Sequence, residues 1–73
     1  MAWYLRTIRG GTDGVPYDTL DLALEQISYL IHRENRLGHR VDRQSGRVSF
    51  YDGPDLIDTV RIEDEDGNEV AIP

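Results

Sequence analysis

The sequence contains no cysteine and no lysine, and it has no long run of apolar residues. Without cysteine the chain has no disulfide bridge, no thiolate nucleophile and no cysteine-ligated zinc site. Without about 18 consecutive apolar residues, no segment is typical of a membrane-spanning helix. The amino terminus lacks the basic and apolar pattern of a secretory signal. We therefore expect a cytoplasmic protein that does not associate with membranes.

The charge that is present is strongly acidic and unevenly distributed. The formal net charge is −6, which disfavours a general nucleic-acid binder. Residues 1–31 carry a net charge of −2, residues 32–51 carry +3, and residues 52–73 carry −7. With 73 residues, the chain is long enough for one compact domain, residues 1–73, with a single small core.

One amphipathic helix is the clearest structural prediction. Apolar residues recur at the spacing of one helical face, and they are Leu20, Ala23, Leu24, Ile27, Leu30 and Ile31. Asp18 is the predicted N-cap, and Gly38 follows the predicted end at about Arg36. Leu22 and Tyr29 form a second, narrower stripe beside Gln26 and Arg33, which predicts either a helix edge under a loop or a partner-facing strip.

The remaining segments predict strands. Residues 2–9 favour a central or covered strand, and the glycine-rich residues 10–16 predict a break and the loosest loop in the chain. Residues 39–43 and 47–51 predict a hairpin, and residues 56–63 and 69–72 flank an Asp-Gly turn. In residues 56–63 strict alternation places Leu56 and Asp58 on the face of Val60 and Ile62. The predicted fold class is α+β, a single amphipathic helix packed on a small antiparallel sheet of about three to five strands, in the order β-α-β-β-β.

The motifs that usually carry chemistry are incomplete in this sequence. A phosphate-binding P-loop requires a lysine, and the glycines of residues 10–14 have the wrong spacing for a dinucleotide fingerprint. His32 and His39 are seven residues apart and lack the further ligands that a zinc site needs. The carboxylates of the last third lie on predicted turns and outer strand faces, where water would keep their pKa values ordinary. A general acid needs a desolvated carboxyl group. We expect no enzyme activity, no cofactor and no metal.

The acidic final third is the leading candidate for a binding surface. Its carboxylates would compete for a protein groove that normally holds phosphates, so the expected partner is another protein with a basic surface. The candidate residues of this acidic surface are Asp52, Asp55, Asp58, Glu63, Asp64, Glu65 and Asp66.

Two other surfaces remain open as alternatives. The first is the arginine cluster between Arg33 and Arg47, which would bind phosphate or nucleic acid. The second is the helix stripe, which would bind a protein partner. A small homo-oligomeric structural protein is a further alternative, for example a homodimer that extends the sheet or buries the helix edge. The alternative site residues are Leu22, Tyr29, Arg33, Arg36, Arg40, Arg43 and Arg47.

In size, acidity and lack of cysteine, the chain resembles the small acidic inhibitors encoded by phages and mobile elements, anti-CRISPR proteins among them. The resemblance covers no aligned residues. It implies a non-enzymatic protein that binds stoichiometrically and blocks a nucleic-acid-handling complex. It assigns no site residues, so the acidic surface depends on the charge distribution alone.

Overall fold

A computed structural model describes residues 1–9, 11–12 and 14–73. Its elements are β1 (Trp3–Thr7), β2 (Gly11–Thr12), α1 (Leu20–Arg36), β3 (Arg40–Gln44), β4 (Arg47–Asp52), β5 (Asp55–Asp64) and β6 (Glu69–Val70). All strand pairs are antiparallel, and the strand order is β2-β1-β5-β4-β3. The short β6 pairs with β5 beyond the point where β4 begins. The α+β prediction is confirmed, with one helix on an antiparallel sheet of five strands plus the short β6.

The helix packs its apolar stripe against one face of the sheet. Ala23 and Ile27 are buried with side chains from β1, β4 and β5, and the other predicted core residues of α1 are half-buried around them. The buried strand residues are Leu5, Val48, Phe50, Val60 and Ile62, and Ile72 joins them from the carboxyl-terminal segment. The face turned away from α1 is called the open face below.

The helix boundaries agree with the sequence pattern except at the N-cap. Thr19, and not Asp18, caps the helix, because its Oγ1 accepts a hydrogen bond from the Leu22 N–H at 3.1 Å. Both residue types cap well, so sequence preference alone does not separate them. The helix ends at Arg36, and Gly38 adopts φ 84° after it, as predicted.

The first strand is central, as predicted. β1 lies between β5 and β2, and Trp3 exchanges two backbone hydrogen bonds with Tyr17 in the segment before the helix. The predicted loop over residues 10–16 is wrong at Gly11–Thr12, which return along β1 as β2. Gly10 and Asp13 of that predicted loop lie outside the described residues.

A β-bulge changes which residues of β5 face the helix. Phe50 pairs with Asp58 and Tyr51 pairs with Leu56, so Ile57 is an extra residue in β5. Ile57 packs against the core, whereas Leu56 is exposed beside Tyr51. The predicted alternation is therefore wrong at Leu56, because one inserted residue reverses the face of the residues before it.

The turn between β3 and β4 supports the carboxyl-terminal segment. Ser45 and Gly46 both have positive φ, as a two-residue hairpin turn requires. The Gly46 carbonyl accepts a hydrogen bond from the Ile72 N–H at 2.9 Å. A Cβ at Gly46 would lie 3.0 Å from the Ala71 Cβ and 3.1 Å from its Cα, so only glycine allows this close approach.

Gly46→Ala is expected to destabilise the fold more than Gly38→Ala. Both glycines have positive φ, but a Cβ at Gly38 meets nothing within 4 Å. Gly38→Ala therefore measures backbone strain alone, about 1 kcal/mol. Gly46→Ala adds the collision with Ala71, at least about 1 kcal/mol more. Urea denaturation of the two variants measures this difference, and equal losses would contradict the contact between the hairpin and Ala71.

Candidate interaction surfaces

Part of the acidic final third, residues 52–73 and called the acidic block below, is neutralised within the fold. Glu63 lies on the open face between two arginines, with Oε1 at 3.2 Å from Arg6 Nε and Oε2 at 2.8 Å from Arg61 Nε. Glu69 receives two hydrogen bonds from Arg47, at 3.0 and 2.6 Å. The paired guanidinium and carboxylate groups hold β1, β5, β6 and the start of β4 together. Glu63 is therefore committed within the sheet and not presented to a partner.

These ion pairs shift the pKa values of their members. The hydrogen bond from Arg61 lowers the pKa of Glu63, partial burial opposes it, and the hydrogen bond from Arg6 lowers the pKa further. The hydrogen bond from Arg47 lowers the pKa of Glu69, and the same contact raises the pKa of Arg47. Because both carboxylates titrate below their ordinary range in the folded state, their pairs stabilise the fold at neutral pH.

Glu63→Gln is expected to reduce the sensitivity of the fold to acid. The stabilisation from a lowered carboxylate pKa is complete above the unfolded value, about pH 4.3, and disappears as the pH falls through the folded value. The free energy of unfolding should therefore fall less between pH 6 and pH 3 in the variant than in the wild type. Chemical denaturation at each pH measures this. Glu65→Gln is the control, since Glu65 forms no ion pair with the described residues, and an identical change in both variants would contradict the prediction.

Two further carboxylates are occupied by backbone groups. Asp58 Oδ1 accepts from the Ile8 N–H at 3.1 Å and from the Thr59 N–H at 2.8 Å, which ties the end of β1 to β5. Asp64 Oδ1 accepts from the N–H groups of Asp66 and Asn68, both at 2.9 Å, and closes the β5–β6 turn. A substitution at either aspartate would change the fold as well as the surface charge.

The four remaining acidic-surface residues lie at opposite ends of β5. Asp52 and Asp55 flank the Gly53-Pro54 turn, and residues 52–55 are called the acidic hairpin end. Glu65 and Asp66 lie in the β5–β6 turn, called the distal turn. The ten residues of β5 separate the two pairs by about 30 Å. The structure therefore does not bring the seven predicted residues into one surface.

The acidic hairpin end contains a pair of like charges. Asp52 and Asp55 are directly opposite each other in the register of β4 and β5, and both are exposed. Like charges in that position destabilise a hairpin. Neither carboxylate forms an ion pair or hydrogen bond with the part of the chain that the structure describes. Asp52 and Asp55 are therefore, like Glu65 and Asp66 in the distal turn, exposed carboxylates that form no ion pair with the described residues.

The predicted arginine cluster is divided between several environments. Arg33 lies 3.5 Å from Glu34, Arg47 is paired with Glu69, and Arg43 donates to the Pro73 carbonyl at 3.1 Å. Arg40 lies over the Tyr51 ring on the open face, with its guanidinium carbon 4.4 Å from the ring centre. Arg36 is exposed at the end of α1. These arginines do not form one continuous basic patch.

The helix stripe predicted from Leu22 and Tyr29 is exposed to solvent. Leu22 retains 45% of its accessible surface, Tyr29 56% and Leu37 63%. They lie with Gln26 and Arg33 within about 80° of the helix circumference, beside the core face. We call this surface the outer strip, defined by Leu22, Gln26, Tyr29, Arg33 and Leu37. It is an apolar and cationic surface that the sheet does not cover.

A buried carboxylate at the end of the helix was not predicted from the sequence. Glu34 is only 8% exposed, and its Oε2 lies 2.6 Å from Nδ1 of the half-buried His39. The His39 N–H also donates to the Glu34 carbonyl at 3.0 Å. The helical periodicity alone could have indicated this burial, because it places Glu34 on the same face of the helix as Ala23 and Ile27. His32, by contrast, is exposed on the helix.

A comparison with known protein families, with curated proteins and with solved structures finds no match. Within the described residues there is no cavity and no group of three or more side chains that could hold a metal ion. The helix α1, the one helix among these residues, is not long and apolar enough to cross a membrane.

Proposed function

We propose that the protein is a non-enzymatic, cytoplasmic interaction module that inhibits a nucleic-acid-handling protein by occupying its basic surface. The observation that carries this proposal is that Asp52 and Asp55 lie directly opposite each other at the acidic hairpin end, exposed and without an ion pair to the described residues. Elsewhere, Glu63 and Glu69 of the same acidic block are neutralised by arginines of the fold. A like-charge pair that lowers stability is typical of a functional position, because local rules are broken where binding requires it.

The geometry of the acidic hairpin end fits a basic groove. Its two carboxylates lie at the tip of paired strands on either side of a two-residue turn that contains proline, so the backbone holds them at a short separation. Contacts between such carboxylates and arginine or lysine side chains form quickly and weaken with added salt.

The test is to reverse the charge of Asp52 and Asp55 without disturbing Asp58. The doubly substituted Asp52→Arg/Asp55→Arg chain is compared with wild type and with a Glu65→Arg/Asp66→Arg control, which makes the same charge change at the distal turn. Each immobilised chain is incubated with nuclease-treated lysate of the native host, and retained proteins are identified by mass spectrometry. We expect wild type and control to retain the same nucleic-acid-binding protein, and the hairpin variant to lose it.

Inhibition is then measured with the purified partner. Adding the wild-type chain should displace a labelled oligonucleotide from that partner, and the hairpin variant should need at least about tenfold more protein for the same displacement. Retention of the partner by the hairpin variant, or a partner that binds its oligonucleotide undisturbed, would overturn the proposal. Circular dichroism of each variant checks that the fold is intact.

A second candidate function is nucleic-acid binding by the open face. The observation that favours it is the Arg40 guanidinium lying over the Tyr51 ring, with Arg6 lying 5.4 Å from the centre of the Tyr4 ring on the same face. Arginine and tyrosine on an open sheet are groups that bind single strands. Arg40→Ala/Tyr51→Ala would then abolish binding of a labelled oligonucleotide measured by anisotropy, and Asp52→Arg/Asp55→Arg would not.

A homodimer is compatible with either function. It would carry two acidic hairpin ends, and a partner with repeated basic sites would bind it with higher avidity. The surface with the apolar residues to form a dimer is the outer strip, which contains neither Asp52 nor Asp55.

A further inference from the structure

We propose that the outer strip of α1 packs antiparallel against the same strip of a second copy, forming a twofold symmetric homodimer. Leu22, Tyr29 and Leu37 place three large exposed side chains along one line of the helix. A 73-residue chain with a small core gains stability by burying such side chains between two copies. This proposal does not depend on the proposed inhibitory function.

The charges along and beside the strip complement themselves under a twofold rotation. Asp21 and Glu25 lie in the amino-terminal half of α1, and Arg33 and Arg36 lie in the carboxyl-terminal half. An antiparallel arrangement of two helices therefore places the acidic half of one copy against the basic half of the other. A parallel arrangement would place like charges together. The sequence of charges thus selects the second copy and its orientation.

A twofold axis passing near Tyr29 brings specific residues together. Glu25 and Arg33 are each four residues from Tyr29, so Glu25 of one copy faces Arg33 of the other, and the pair occurs twice. Leu22 faces the last turn of the second helix, where Leu37 is exposed. The two Tyr29 rings meet at the centre, in the position where aromatic side chains contribute most to an interface.

These side chains are available for the contact. Leu22, Glu25, Tyr29, Arg33 and Leu37 are all exposed in the single chain, and Gln26 between them is half-buried. Arg33 has one internal polar partner among the described residues, Glu34, at the long distance of 3.5 Å, so little is lost when it turns toward Glu25 of a second copy. The outer strip therefore offers both apolar contact and ion pairs without rearrangement of the fold.

The test is a charge-swap experiment followed by sedimentation velocity over micromolar to millimolar protein concentrations. Wild type should shift with concentration from the mass of one chain toward that of two. Glu25→Arg alone and Arg33→Glu alone each convert two attractive pairs into two repulsive pairs, and each should raise the dimer dissociation constant about tenfold. The double variant Glu25→Arg/Arg33→Glu restores opposite charges across the axis and should return the constant toward that of wild type.

Two further variants separate this dimer from other arrangements. Tyr29→Glu places two carboxylates together on the axis and should leave only monomer. Asp52→Arg/Asp55→Arg, at the acidic hairpin end, should leave the dissociation constant unchanged. A wild type that stays monomeric to millimolar concentration would overturn the proposal. So would single variants that dimerise as wild type does, or a double variant no better than either single one. Helicity measured by circular dichroism confirms that each variant is folded.

Discussion

Phe50→Ala is expected to remove most of the stability of the protein. The Phe50 ring is 3% exposed in β4 and lies in the core between the helix and the sheet. Replacing a buried phenylalanine with alanine costs about 3–5 kcal/mol, since it removes apolar contact and leaves a cavity. At roughly 0.05–0.15 kcal/mol per residue, the whole 73-residue domain is stable by only about 4–11 kcal/mol. Thermal denaturation followed by circular dichroism should show a midpoint far below that of wild type.

Leu56→Ala provides the matched control for Phe50→Ala. Leu56 is also a large apolar residue at the β4–β5 hairpin, but the bulge at Ile57 places it on the exposed side. Its substitution should cost less than about 1 kcal/mol. If the two variants lost similar stability, the bulge would not separate these residues as the structure shows.

His39→Ala is expected to have the second largest effect, through Glu34. The Glu34 side chain is almost fully buried, and its Oε2 forms a hydrogen bond with His39 Nδ1 at 2.6 Å. Removing the imidazole leaves a buried carboxylate with only the distant Arg33 contact among the described residues. The expected loss in the free energy of unfolding is about 2–3 kcal/mol, because a buried polar group that loses its hydrogen-bond partner costs more than the hydrogen bond contributes.

A double-mutant cycle separates the pair from the packing of the imidazole. Glu34→Gln removes the charge, so His39→Ala should cost less in that background, with a coupling energy of about 1–3 kcal/mol. His32→Ala is the control, since His32 is exposed and forms no hydrogen bond with the described residues, and it should change stability by less than about 0.5 kcal/mol. Additive effects of Glu34→Gln and His39→Ala would show that the two side chains are not coupled.

Local patterns in the sequence predict the helix and most strands of this fold. The features that they do not predict depend on contacts between residues far apart in the chain. The helix and the β3–β4 hairpin follow from spacing and turn residues close together in the chain. The bulge at Ile57 is not predictable from alternation, because it depends on how β5 packs under the helix. β2 was missed for a related reason, since two residues are too short to show a period.

The candidate site was predictable as a charge distribution but not as a surface. Counting charges identified residues 52–73 as acidic, whereas Glu63 is neutralised by its neighbour Arg61 together with Arg6, which is 57 residues away in the chain. The roles of Asp58 and Asp64 depend on backbone N–H groups that no charge count includes. Only the structure distinguishes carboxylates that hold the fold together from those at the acidic hairpin end. The proposed binding surface is correspondingly smaller than the acidic block.

The central position of β1 has a consequence for synthesis on the ribosome. Trp3 pairs with Asp64 and Thr7 pairs with Val60, so β1 finds its main neighbour in a strand that is translated only after the helix and the β3–β4 hairpin. The backbone hydrogen bonds within the helix and within the β3–β4 hairpin join residues close together in sequence, so these elements can form while the chain is still emerging. The apolar side chains of Trp3 and Leu5 stay without their β5 neighbours until β5 leaves the exit tunnel. The core is therefore incomplete until β5 has been translated, and the apolar side chains that await it favour aggregation during that time.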